Sequence, residues 1–378
     1  MRWMLLTETY LPELNGVTIT LSKLTEGLIA RGHQVHIVRP RQGRDDKPIA
    51  HPANPGHTLV WSVPLFWVKG IRLGMPYLGQ LKNEIKKFKP DILHVATEGW
   101  LGFAGVTAAH AYKIPVVSSY HTNFFAYSRF YGLGFLRTLG YWYFRLAHNA
   151  TLKTFVPSQT VLRQLQSYKF KNLEIMSRGV ETDVFSPAHR SEELRRSWGV
   201  GPDDIVMFYN GRIAPEKNFP LMLKCYERLK KIDPNARLVI AGGSHGSLKE
   251  KLQREHPEII FTGVITGLPR SQHYASADLF VFSSSTETYG NVILEAMSSA
   301  LVVLAYDYAA PRENIVDGVN GFLAPFKKEN EFISRFDEIL KKRSEWKKIA
   351  AAARESVKDR SWDNVVDKYI GSIRGLKG

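Results

Sequence analysis

The stretch Leu279-Phe-Val-Phe-Ser-Ser-Ser-Thr-Glu-Thr-Tyr-Gly-Asn-Val-Ile-Leu-Glu-Ala-Met-Ser-Ser-Ala300 decides the fold. Leu279 to Phe282 is a short apolar run, the pattern of a buried parallel strand. Ser283 to Thr286 is a polar break. From Asn291 the apolar spacing becomes helical, with Val292, Leu294, Ala296 and Met297 supplying the apolar surface. Strand, loop and helix in this order predict an α/β protein. Glu287 falls in the loop and Glu295 about one turn into the helix. Unpaired backbone N–H groups near Gly290 and Asn291 form a helix start, a ready site for an anion. Gly290 has no Cβ, so a ligand can come close to the backbone. Two carboxylates flanking such a start suit a ligand that carries a phosphate and several hydroxyls.

Outward from this stretch, length and composition set the frame. At 378 residues the chain is too long for one ordinary core and fits two domains. Its 44% hydrophobic and 23% charged residues are globular proportions. No apolar run reaches transmembrane length. Met1 to Leu6 is too short for a signal peptide, which predicts a cytoplasmic N-terminus. A single cysteine, Cys225, excludes an intrachain disulfide and a cysteine-rich metal site. The net charge of +15 is uneven: residues 1–185 hold 22 Lys and Arg against 11 Asp and Glu. A basic half implies an anionic partner, whether membrane surface, nucleic acid or phosphorylated substrate.

In the N-terminal half, Trp3 to Leu6 and Gln34 to Val38 read as strands around a helix from Thr18 to Ala30. This βαβ opening is Rossmann-like without the G-x-G-x-x-G dinucleotide fingerprint. Asn15 and Gly16 sit in the loop after the first strand. Asp91 to Val95 and Pro115 to Ser118 read as further parallel strands. His121 follows the second of these, where a doubly wound sheet points residues into its cleft. Asn123 to Asn149 is crowded with aromatics spaced by Arg129, Arg137 and Arg145. Leu65 to Leu73 adds Trp67, Lys69 and Arg72. Aromatic and basic residues together suit the headgroup layer of an anionic membrane. Snorkelling arginines on ordinary core helices would give the same composition. Phe130, Tyr131 and Phe135, with Trp67, Lys69 and Arg72, are the candidate acceptor or membrane residues.

In the C-terminal half, Ala188 to Gly201 has the polar composition of a linker. Ile205 to Tyr209 opens a second α/β domain, and Asn210-Gly-Arg-Ile-Ala-Pro-Glu-Lys-Asn218 follows it. Arg212 and Lys217 on such a loop can clamp a diphosphate, the first by its planar fork and the second as a point charge. Arg237 to Ala241 and Ile259 to Phe261 read as strands ending near Gly243 and Val264. Residues 326–360 read as helical, and Trp362 to Ile373 as a final amphipathic helix.

The Ser-Ser-x-x-Glu-x-Tyr-Gly-Asn-Val-x-Leu-Glu-Ala-Met block and the Gly-Arg-x-x-x-Glu-Lys-Asn block together resemble retaining GT-B glycosyltransferases of family 4. Glu287 and Glu295 match the Glu-x7-Glu signature of that family, and the likeness is greatest to glycolipid-forming and GDP-mannose-dependent members. The resemblance implies two Rossmann-like doubly wound domains facing across a cleft. An acceptor domain would span 1–186, a nucleotide-sugar domain 187–355, and a C-terminal helix, 356–378, would return to the first. It implies that His121, Glu287, Arg212 and Lys217 act at the reacting centre. Arg212 and Lys217 would hold the diphosphate, Glu287 the sugar hydroxyls and Glu295 the ribose. Asn15, Gly16, Gly243, Val264, Tyr289, Gly290, Asn291 and Val292 would line the donor site. Two departures stand out. Arg178 replaces an asparagine in the segment before the linker, and Ala309 and Ala310 stand where the family shows paired glycines.

No Asp-x-Asp pair is present, so the usual metal–diphosphate ligand of the other common glycosyltransferase fold is missing. Cations and a helix start can take its role, and no metal or other cofactor is expected. The expected partners are a nucleotide diphosphate sugar, a lipid acceptor and an anionic membrane surface, with the enzyme peripheral on the inner face. A soluble acceptor, such as a glucan or small metabolite, is the alternative within enzymes. A basic nucleic-acid-binding protein is the alternative outside them, but no nucleic-acid motif accompanies the charge.

Overall fold

The computed structural model describes residues 1–13, 15–43, 45–48, 56–64, 72–75, 78–97, 99–121, 137–244, 247–285 and 290–376. Of residues 137–139 only the backbone is described. The chain divides into two compact units, Met1–Arg178 with Trp362–Gly378, and Gly179–Ser361.

The first unit runs β1 (Arg2–Leu6), α1 (Gly16–Ala30), β2 (Gln34–Pro40), β3 (Gly56–Val60), β4 (Ser62–Pro64), β5 (Arg72–Gly74), α2 (Leu78–Phe88) and β6 (Ile92–Val95). It continues with α3 (Trp100–Ala111), β7 (Val116–Ser119), α4 (Arg137–Asn149), β8 (Lys153–Val156), α5 (Gln159–Ser167) and β9 (Leu173–Ile175). Seven strands form one sheet in the order β3-β2-β1-β6-β7-β8-β9, every pair parallel. The order reverses at β1, the signature of a doubly wound sheet. Alternation along β1 divides the core. Trp3 and Leu5 pack with Leu21 and Leu24 of α1, while Met4 and Leu6 pack with Leu81 of α2 and Leu101 of α3.

The second unit holds α6 (Glu192–Ser197), β10 (Val206–Asn210), α7 (Phe219–Ile232), β11 (Arg237–Ala241), α8 (Leu248–Glu255), β12 (Ile260–Gly263) and α9 (Gly267–Ala275). Then come β13 (Leu279–Phe282), α10 (Asn291–Ser298), β14 (Val302–Tyr306), α11 (Ala309–Asn314), β15 (Phe322–Ala324), α12 (Glu329–Lys341) and α13 (Trp346–Val357). Its six parallel strands lie in the order β12-β11-β10-β13-β14-β15, reversing at β10. Each central strand is buried along its whole length, because helices cover both faces.

The unit boundaries fall at Arg178/Gly179 and Ser361/Trp362, rather than at 186 and 355. Local bonding explains the first. Val180 N–H donates to Arg360 O at 2.8 Å, and Ser298 Oγ donates to Phe185 O at 2.6 Å. Residues 179–185 are thus tied into the second unit. The polar segment 188–201 is also structured, not a bare linker. It forms α6, whose Arg195 is fully buried and donates to the carbonyls of Gly201, Asp204 and Ser276 and to Asp278.

The C-terminal helix α14 (Trp362–Arg374) completes the first unit. It packs on α1, where Arg31 forks onto Asp363 and Asp367 at 3.0 and 2.6 Å. A Cβ on Gly27 would lie 2.5 Å from Val366 Cγ2, so only glycine admits this approach. Beneath it, Tyr369 OH meets His94 Nδ1 at 2.9 Å in the core.

Candidate active site

In the second unit the loops after three strands are stitched together at the carboxyl edge of the sheet. Gly211 N–H donates to Ala241 O at 2.9 Å, Ile213 N–H to Gly243 O at 2.8 Å, and Gly242 N–H to Gly263 O at 2.7 Å. This edge is where open α/β sheets bind ligands. It brings Arg212, Gly243 and Val264 into one neighbourhood. A Cβ on Gly243 would lie 3.3 Å from Val264 Cγ2, and Val264 itself is 71% exposed.

Arg212 is half exposed and pairs with Glu216 one turn on. Pro215–Lys217 is a short 3-10 turn, ended by Asn218 at φ 52°. Ser283 Oγ donates to Lys217 O at 2.9 Å and to Asn218 O at 3.0 Å, and Ser285 N–H donates to Glu216 O at 3.0 Å. The cationic turn is therefore fastened to the polar break after β13. Lys217 Nζ lies 5.2 Å from the centre of the Phe282 ring, a cation–π contact that holds the ammonium beside that break.

Helix α10 starts at Gly290, whose φ of 60° is left-handed backbone that glycine adopts at no steric penalty. Gly290 has no side chain to cap the helix. The amides of Asn291 and Val292 have no partner among the described residues, and Asn291 Oδ1 is buried without one. Unpaired amides at a helix start favour an anion. Glu295, one turn on, is buried. Its Oε2 accepts from Arg270 Nη2 at 2.5 Å and from Tyr274 OH at 2.8 Å. Neither partner was singled out in the sequence. Their i,i+4 spacing on α9 shows that they share a face, but not that Glu295 lies opposite. Glu287 and Tyr289 lie outside the described residues.

In the first unit His121 follows β7 and is buried. Its Nδ1 accepts from Arg178 Nη2 at 3.2 Å. Burial, then the Arg178 charge, then His94 and His148 hold the imidazole well below its ordinary value. Burial alone lowers Arg178, to about 9. Asn15 caps α1, its Oδ1 accepting from Val17 and Thr18 N–H at 3.0 and 2.9 Å. Its Nδ2 donates to Thr9 Oγ1 and Glu13 Oε1 at 2.7 and 2.9 Å. The turn at Asn15 and Gly16 thus has its backbone, rather than the Asn15 side chain, left to meet a ligand.

Glu8, in the same loop after β1, is a buried carboxylate that the sequence did not mark. It accepts from Gly74 N–H at 2.6 Å and Leu101 N–H at 3.1 Å, joining β5 to the start of α3. Burial raises its pKa to about 7, against the lowering effect of those two bonds.

Of the acceptor or membrane residues, Arg72 is described and works inside the β4–β5 hairpin. It donates to Ser62 Oγ at 2.8 Å, Ser62 O at 3.0 Å and Arg41 O at 3.1 Å. Trp67, Lys69, Phe130, Tyr131 and Phe135 lie outside the described residues. Among the described residues no helix is long and apolar enough to cross a membrane, and no three His, Cys, Asp or Glu side chains cluster as metal ligands.

The model of Glycosyltransferase Family 4 matches residues 14–184, and that of glycosyl transferases group 1 matches 190–356. A GDP-mannose-dependent alpha-mannosyltransferase of Mycobacterium tuberculosis is 32% identical over 98% of this chain and 96% of its own. An alpha-monoglucosyldiacylglycerol synthase of Streptococcus pneumoniae is 30% identical over 81% of this chain and 71% of its own. Among solved structures, the sucrose-phosphate synthase of Thermosynechococcus elongatus superposes with a TM-score of 0.82 over 99% of this chain and 98% of its own, at 17% identity. That likeness establishes the GT-B fold. With the two doubly wound sheets, these similarities assign the chain to glycosyltransferase family 4, as an enzyme that uses a nucleotide sugar.

Proposed function

We propose that the protein is a retaining hexosyltransferase that moves a hexose from a UDP- or GDP-linked donor to a membrane glycerolipid, forming a glycolipid. One observation carries the lipid acceptor. Trp100 and Phe103 on α3 and Trp142 and Leu146 on α4 are 51, 47, 51 and 46% exposed. The rings of Phe103 and Tyr143 lie 6.0 Å apart, so the two helices present these residues side by side. Residues 99–173, which contain both helices, hold eight Lys and Arg and no Asp or Glu. Exposed tryptophan and phenylalanine in a purely basic stretch match an anionic bilayer surface. The S. pneumoniae relative, named for a glucosyl diacylglycerol product, supports the same acceptor class. The M. tuberculosis relative is named for GDP-mannose, so the relatives divide on the donor.

In the proposed step the C1–O bond of the sugar to the diphosphate breaks as a C1–O bond to the acceptor hydroxyl forms on the same face. The hydroxyl proton passes to the departing phosphate oxygen. Arg212, Lys217 and the amides at the start of α10 receive the leaving charge, with no metal required. His121 and Glu287 hold the sugar, and Glu295 the ribose. Reaction would take place with the enzyme on the cytoplasmic face of the membrane, peripherally attached. A thermal-shift screen of GDP- and UDP-linked hexoses, followed by NMR of the product anomer, tests the donor half. Stabilisation by one donor class and an α-linked product from an α-linked donor support it; an inverted product contradicts it.

A further inference from the structure

We propose that Arg270 and Tyr274 are positioning residues that occupy one oxygen of Glu295, leave the other to the ribose diol of the donor, and so set a preference for ribonucleoside over deoxyribonucleoside diphosphates. The proposal rests on Glu295 being the ribose ligand.

Both donors come from one face of α9 and converge on the same atom, Glu295 Oε2, at 2.5 and 2.8 Å. The second oxygen, Oε1, has no partner among the described residues. Each donor is itself held. Arg270 lies 5.3 Å from the centre of the Phe185 ring, so its guanidinium is stacked as well as paired. Tyr274 OH accepts from Asn210 Nδ2 at 3.1 Å, which directs the phenolic proton toward Glu295. Burial opposes the Arg270 charge, yet Glu295 and Tyr274 outweigh it and raise Arg270 above its ordinary value. Burial, then Glu295, keeps the Tyr274 phenol well above its own, so it remains a donor.

The chemistry follows from this inventory. A buried carboxylate is costly unless it is paired and hydrogen-bonded. Arg270 supplies the countercharge, and an ionised carboxylate is a pure acceptor. The vicinal hydroxyls of a ribose are donors, and a free carboxylate oxygen fixed in place complements them. A deoxyribose lacks one of these donors and leaves the acceptor underused. Hydrogen bonds to charged groups carry the larger net energies, corresponding to about tenfold to a hundredfold in affinity.

Isothermal titration with GDP, UDP and their 2′-deoxy and 3′-deoxy analogues tests this on the full chain. Wild type should bind the better ribonucleotide about tenfold to a hundredfold more tightly than one of its deoxy analogues. Arg270→Gln and Tyr274→Phe should each shrink that ratio by about threefold or more, while affinity for the deoxy analogue changes little. Arg270→Lys, which keeps the charge, should restore part of it. Tyr274→Phe keeps the ring packed against Phe208 and Phe280 and guards against a trivial folding failure. Equal binding of ribo- and deoxynucleotides by wild type would overturn the ribose role of Glu295, and the proposal with it. Full discrimination in wild type, Arg270→Gln and Tyr274→Phe alike would overturn the positioning role alone.

Discussion

Arg178 donates from Nη2 to Nδ1 of His121 at 3.2 Å. An arginine has only donors, so the imidazole nitrogen facing it must accept. His121 is therefore neutral, with its proton on Nε2, and in the proposed reaction it would meet a sugar hydroxyl or phosphate oxygen as a donor. The arginine that departs from the family pattern thus fixes the tautomer of the histidine that the family resemblance marks.

His121→Asn should lower kcat by roughly tenfold to a hundredfold, the range for one lost polar contact. Because burial and Arg178 hold the imidazole well below its ordinary value, His121 adds no titration step near about pH 6.5. The pH–rate profiles of wild type and variant, from about pH 5.5 to about pH 8, should have the same shape. A step near neutrality that disappears in His121→Asn would contradict the tautomer assignment.

Arg212→Ala and Lys217→Ala should each raise the transition-state barrier by about 2–4 kcal/mol. Folding should be little changed, since an exposed pair such as Arg212–Glu216 adds little stability. Wild-type turnover in both variants would rule out the diphosphate clamp. By the same logic, activity should survive EDTA, and an absolute requirement for added magnesium or manganese would rule out charge neutralisation by protein groups alone.

Glu8 gives a pH signature in stability. Its folded value of about 7 lies above the 4.5 of an ordinary glutamate. The native state therefore holds a proton that the unfolded chain has released. That stabilisation is complete below about pH 4.5 and fades as pH rises through about 7. Urea unfolding across this window should show wild type losing about 3 kcal/mol relative to Glu8→Gln. A difference between the two that does not change with pH would show that Glu8 is ionised in the fold.

The seat of the C-terminal helix is a test of packing. Gly27→Ala should destabilise by about 1–3 kcal/mol, because the new Cβ meets Val366 at 2.5 Å. Gly27→Ala with Val366→Ala should lose less than the sum of the single variants. Strict additivity in a double-mutant cycle would show that the two do not touch.

Much of this was legible in the chain. Leu279–Phe282 and Val302–Tyr306 are short continuous apolar runs, as strands buried on both faces need. The loop that carries Arg212 and Lys217 was legible because it follows a strand and closes in a local turn. What escaped depends on partners distant in sequence. Residues 188–201 have a linker's composition, yet Arg195 is buried because carbonyls as far away as Ser276 receive it. Glu8 reads as a loop carboxylate until the amides of Gly74 and Leu101 close around it. Asn15 by resemblance belongs to the donor site, and its side chain is taken by the helix that it caps.

The exposed faces of α3 and α4 should bind lipid. Vesicle sedimentation should rise with anionic lipid and fall with salt. Replacing Trp100, Phe103, Trp142 and Leu146 together by serine should weaken binding by about tenfold or more while nucleotide affinity is kept. Unchanged binding to anionic vesicles would place the membrane contact elsewhere.

The acceptor is tested most directly by incubating the purified protein with a labelled nucleotide sugar and vesicles of diacylglycerol and anionic phospholipid, then extracting with chloroform. GDP-mannose and UDP-glucose are the two donors to compare. Label entering the organic phase as an α-linked hexosyl lipid, dependent on Arg212 and Lys217, is the predicted result. Label transferred only to water-soluble glucans or small metabolites, with none in the lipid phase from either donor, would contradict a glycolipid-forming enzyme.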